Sequence, residues 1–77
     1  MAAMAYFRKV SETAEAAEYA FGDDPDRLER RLTMDKASGT STAQDARIDH
    51  TFLKASRKLT ALHTERGAWP ERGMSVS

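Results

Sequence analysis

From Ile48 onward the apolar positions Ile48, Phe52, Ala55, Leu59 and Leu62 are spaced four, three, four and three residues apart. Only a helix gathers that set on one stripe. Asp49 is suited to cap it, its carboxylate accepting from the exposed amides of the first turn. With that cap, Ile48 and Leu53 stand at the two positions of a hydrophobic staple. Thr42 with Asp45 offers an earlier start of capping-box type, which leaves the first boundary open by a turn. At the far end Arg66 suits the negative terminus, Gly67 can adopt the left-handed cap, and Pro70 forbids continuation. Trp69 falls where a residue past the cap folds back onto the last turn. Burying Phe52, Leu59 and Leu62 contributes about 1.5–3 kcal/mol each.

Earlier segments are less regular. Residues 37–44 are small and polar, a loop with Gly39 as its turn residue. In the Gly22-Asp23-Asp24-Pro25-Asp26 run, Pro25 fits the first turn of a helix and Asp23 or Asp24 its cap. This predicts a short helix over 25–31, followed by a strand over 32–38 where Leu32, Thr33, Met34 and Asp35 alternate. Residues 1–21 fit two patterns. Met4, Phe7, Val10, Ala14, Ala17 and Phe21 make a helical stripe, and seven alanines favour helix by propensity. Against this, residues 6–10 are rich in strand formers, and 17–21 alternate with Tyr19 and Phe21 on one face. A hairpin would want a turn signal, and 11–16 contains neither glycine nor proline, so local propensity favours the helix.

Length limits what such elements can build. A chain of 77 residues supports one core, worth only about 3–5 kcal/mol unless stapled. It has no cysteine, hence no disulfide or thiolate metal site. Twelve basic and twelve acidic side chains cancel, which gives no global pull toward nucleic acid or anionic lipid. No apolar run approaches a membrane span. Arg8 and Lys9 follow the N-terminal apolar stretch, the reverse of a secretory signal. The expectation is a soluble, cytoplasmic protein. Arginine outnumbers lysine twofold, asparagine is absent and isoleucine occurs once, the usage of a GC-rich genome.

Several motifs carry a resemblance: Leu32-Thr33-Met34-Asp35-Lys36, Asp49-His50-Thr51-Phe52, Ala55-Ser56-Arg57-Lys58-Leu59, and the run from Glu65 through Gly67-Ala68-Trp69-Pro70 to Gly73. With a Tyr-Phe pair near the start and an aromatic-Gly before an acidic-Pro turn, the chain resembles a group of short uncharacterised actinobacterial proteins. The resemblance covers about two-thirds of the sequence and brings no activity with it. It implies strands over 6–11 and 17–22. The fold reading that follows is α+β: a small antiparallel sheet of about three strands, a short helix, and one long C-terminal amphipathic helix across one face. A three-helix bundle is the alternative. Residues 1–70 form the expected domain and 71–77 a flexible C-terminal tail.

Chemistry-bearing patterns are sparse. There is no glycine-rich phosphate loop, nucleophile elbow or metal-binding histidine pair, so no catalytic set, cofactor or metal ligands are indicated. Asp23, Asp24 and Asp26 lack the alternating ligands, glycine and terminal glutamate of a calcium loop; a helix N-terminus explains them better. His50 falls on the solvent side of the long helix and His63 borders its apolar stripe. Helical phase gathers Arg47, His50, Lys54, Arg57 and Lys58 into one basic sector, a candidate interaction face for phosphates or an acidic partner. All four of its arginines and lysines are expected to be exposed. Trp69 is a candidate tail anchor. A non-enzymatic protein-interaction or accessory module follows, with a protein partner or self-association. Nucleic-acid binding through the basic face is the alternative, and no membrane role is expected.

Overall fold

The computed structural model of the chain describes residues 4–76. Residues 1–3 of the expected domain and Ser77 of the expected tail lie outside the described residues. Two long strands come first, β1 (Met4–Glu12) and β2 (Ala16–Gly22). They pair antiparallel with Phe7 opposite Phe21 and Tyr6 opposite Gly22, and the register slips between Lys9 and Ser11. Local helix propensity therefore loses to pairing. In a period of two, Ala5 and Phe7 share one face with Ala17, Tyr19 and Phe21, and all five are buried. The hairpin turn lacks glycine because Thr13 supplies its chemistry. The Thr13 hydroxyl accepts from the amides of Glu15 at 3.2 Å and Ala16 at 3.1 Å.

Three further strands and one helix complete the chain: β3 (Arg30–Asp35), β4 (Ser41–Ala43), α1 (His50–Arg66) and β5 (Arg72–Val76). The sheet has five strands in the order β4-β3-β2-β1-β5, each neighbouring pair antiparallel. This overturns both the sheet of about three strands and the helical bundle. The short helix over 25–31 is absent as well. Asp24 does receive a backbone amide on its carboxylate, from Asp26 at 2.9 Å, but the chain closes only a single turn, with the Arg27 amide on the Asp24 carbonyl. It then folds back so tightly that a Cβ at Gly22 would lie 2.8 Å from the Arg27 carbonyl oxygen. The polar stretch 37–44 contains β4, placed by Ala43 opposite Leu32 and by a Ser41–Ser56 hydroxyl bond to α1. Gly39, at φ 71°, makes the β3–β4 turn. Residues 72–76, read as tail, are instead an edge strand whose character comes from β1 beside it.

Helix α1 packs across β1, β5 and β2 and buries Phe52, Ala55, Leu59 and Leu62. Asp49 caps it by accepting from the Phe52 amide at 3.0 Å, and Gly67, at φ 72°, returns its amide to the His63 carbonyl. Ile48 departs from expectation. It is 74% exposed, so it joins neither the stripe nor a staple, while Leu53 packs against the core without it. In the core, Phe7 meets Tyr19 edge-on at 5.8 Å and Phe21 tilts against Phe52 at 6.0 Å. The buried Tyr19 hydroxyl donates to the Pro70 carbonyl, and Trp69 stacks on His63 with centroids 3.9 Å apart. Together these tie the end of α1 to the middle of the sheet.

Candidate functional site

The basic sector expected on α1 is only partly assembled. Arg47 precedes the Asp49 cap and leaves the helical phase; its guanidinium reaches the Asp49 carboxylate at 3.1 Å. His50, Lys54, Arg57 and Lys58 lie on the helix, with His50 and Arg57 exposed. Lys54 and Lys58, expected to be exposed, are half-buried. Lys54 is already engaged within the chain. Trp69, the candidate tail anchor, is half-buried; its ring faces His63 and its carbonyl accepts from Lys9 at 3.1 Å.

The departure of Arg47 and Ile48 has one cause, the side chain of Arg30. From the end of β3 it donates to both oxygens of Asp49 at 2.8 Å, to Asp45 at 2.8 and 3.2 Å, and to the Arg47 carbonyl at 3.0 Å. Its guanidinium lies 4.6 Å over the Phe21 ring. The β4–α1 connection wraps around this cation, passing through a left-handed Ala46 at φ 61°, and Ile48 is left outside. The Arg30 hydrogen bond, seconded by the Arg47 amide, holds Asp45 at about 2, far below the ordinary carboxylate range. Arg30 likewise lowers Asp49, helped by the Phe52 amide. A cleft of about 220 Å³ opens beside this cluster. All five N–H donors of Arg30 are spent inside the chain, so this cation is a clasp for the loop.

A second ion network closes the opposite end of β1. Lys9 donates to Glu12 and, at 3.3 Å, to Glu71, while Lys36 reaches Glu12 at 2.6 Å. The bond from Lys36, then that from Lys9, holds Glu12 at about 2. Burial pushes the Tyr19 phenol up. These groups also satisfy one another, and among the described residues no cluster of His, Asp or Glu could hold a metal ion.

The remaining surface is the face of the sheet opposite α1. Alternation places Tyr6 and Arg8 of β1 and Arg72 and Met74 of β5 there, since Phe7 faces the helix. With Pro25 and Leu28 of the β2–β3 loop, these side chains line a groove of about 350 Å³. Met74 is 41% exposed, and Tyr6 and Leu28 are half-buried. No element among the described residues packs over it. The groove was missed in the sequence because it joins β1 to a strand read as tail. Its only trace there was alternation around Phe7 and Gly73. Compared with known protein families, with curated proteins and with solved structures, the chain matches none. No helix among the described residues is long and apolar enough to cross a membrane.

Proposed function

We propose that the protein is a small non-catalytic interaction module that binds a protein partner on the open face of its sheet. One observation carries this reading: an apolar groove formed by Tyr6, Met74, Leu28 and Pro25 on a face that α1 leaves uncovered. A sheet with one layer packed and the other bare presents apolar surface that a partner can bury. Tyrosine and arginine are the side chains that anchor interfaces. The ion clusters, by contrast, are internally satisfied and support the fold rather than a reaction.

The test pairs two variants. Tyr6→Glu with Met74→Glu alters the groove, whereas Arg57→Glu alters the helix face. Recovered from its native cell, the wild-type chain should bring a partner with it, the groove variant should not, and the helix variant should. Loss with Arg57→Glu instead would move the interface to α1. Where the partner is a second copy, the melting temperature of the wild type should rise with concentration and that of the groove variant should not.

A further inference from the structure

We propose that the groove is a receptor for a short acidic segment of the partner, one that carries a bulky apolar side chain beside its carboxylates. This inference rests on the reading of the open face as a protein-binding surface, and it adds the chemistry of what binds there.

Register supplies the argument. Arg72 stands directly opposite Arg8, Arg8 opposite Ala20, and Ala20 opposite Arg31. Three guanidinium groups thus lie in one row across four strands, interrupted only by a methyl group. Like charges directly opposite on one face of a sheet destabilise it. The other arginines of the strands are compensated: Arg31 has Glu18 at 3.0 Å, and Arg30 has two aspartates. Arg8 and Arg72 are the exception. Both are exposed, and neither has a carboxylate partner among the described residues. They are also the two cations that line the groove.

The neighbouring row is of opposite character. Met74 stands opposite Tyr6, so an apolar floor runs beside the arginines. Leu28 and Pro25 wall it from the loop side. A ligand complementary to both rows is amphiphilic: an aliphatic or aromatic side chain on the floor, and carboxylates on the paired guanidinium forks. A nucleic acid fits less well. The loop that walls the groove also carries Asp23, Asp24, Asp26 and Glu29, all exposed, and a long phosphate backbone would run against them. A short segment with one or two carboxylates meets only the arginines.

A random peptide library selected on the immobilised full chain tests this. The wild type should enrich peptides with aspartate or glutamate next to leucine, phenylalanine or tryptophan. Arg8→Gln with Arg72→Gln removes charge from exposed positions, so the variant should keep its circular dichroism spectrum. It should lose at least about tenfold in affinity for the acidic winners, roughly 1.4 kcal/mol, while its own selection keeps the apolar residue and drops the acids. Tyr6→Ala should weaken every winner. Enrichment of apolar peptides without acids on the wild type overturns the acidic-segment inference and leaves the docking face standing. No enrichment at all overturns both. Salt-sensitive binding of single-stranded polythymidine, lost in the double arginine variant, would overturn the inference in favour of nucleic acid.

Discussion

Gly73 is the position at which one added methyl group should be felt most. It stands opposite Phe7 in the β1–β5 ladder, and a Cβ built there falls 2.6 Å from Phe7 Cζ and 2.9 Å from Cε1. Carbon atoms pack best at about 3.5–4.0 Å, so Gly73→Ala asks the phenyl ring to retreat by about 1 Å. The ring has nowhere to go. Phe7 is 2% exposed and stands edge-on to Tyr19 at an interplanar angle of 86°. A Leu62 methyl lies 3.4 Å from the same point. Overpacking of this kind costs about 1–3 kcal/mol, and the stiffer unfolded chain of an alanine variant returns about 0.4–1 kcal/mol. A net loss of about 1–2 kcal/mol is expected, a large share of the stability available to a domain this small.

In a domain of this length each kcal/mol moves the melting temperature by about 4–8 °C, so Gly73→Ala should melt about 5–15 °C lower in a circular dichroism scan. A double-mutant cycle with Phe7→Leu isolates the cause, because adjacent side chains couple strongly. In the Phe7→Leu background there is room for the methyl group, and Gly73→Ala should cost nothing or stabilise. An unchanged melting temperature for the single variant, or equal costs in both backgrounds, would refute the seating of β5 against Phe7.

Other perturbations address the core and the clasps. Tyr19→Phe leaves the Pro70 carbonyl without its buried donor and should cost about 1–3 kcal/mol in urea denaturation. Leu59→Ala empties a fully buried position at the centre of α1 and should cost about 2–5 kcal/mol, enough to lose the helical signal near room temperature. Acid melts should report the ion clusters. Asp45 and Glu12 are held at about 2 and Asp49 is lowered, so the unfolded chain binds more protons below its ordinary carboxylate pKa. Their stabilisation is present above about pH 4 and should fade as pH drops toward 2, and Arg30→Gln should flatten the part due to Asp45 and Asp49. Arg57→Glu, at an exposed position, should shift stability by no more than about 0.5 kcal/mol.

Which elements were legible in the sequence follows from where their stability arises. Helix α1 carries its own signals: period, an aspartate cap, a glycine stop and a proline. Each acts within one or two turns of the residue that bears it. Strands β1 and β2 carry signals that compete, since Phe7, Ala17 and Phe21 suit a helical stripe as well as one face of a hairpin. Thr13 further concealed the turn by replacing glycine with a hydroxyl. Strands β4 and β5 carry almost none. Ser41–Ala43 and Arg72–Val76 are extended because β3 and β1 offer unsatisfied backbone edges, a property of the assembled sheet. The candidate groove inherits that dependence. Arg8 and Arg72 become neighbours only once β5 is in register, so helical phase drew attention to Arg47 and Lys54 instead. Arg47 itself was misplaced by Arg30, whose reach to Asp45 and Asp49 no local pattern announces.

The neutral sum of charges hides a division of labour that this geometry makes testable. Twelve cations and twelve acids cancel in total but not in space. Glu12 holds two lysines, Asp49 holds two arginines, and Glu18 holds Arg31. Each of these acids connects elements distant in sequence, so its loss should loosen the fold. Arg8 and Arg72 connect nothing, and removing their mutual repulsion should leave the fold as stable or slightly more so. Neutralising the paired and unpaired groups one at a time should therefore yield two classes of variant. Glu12→Gln and Arg30→Gln should melt earlier, and their binding should weaken only as far as they unfold. Arg8→Gln and Arg72→Gln should melt at the wild-type temperature or above and bind less. An Arg8 or Arg72 variant that unfolds, or one that stays folded and binds as well as the wild type, would refute the assignment of these two arginines to acid recognition.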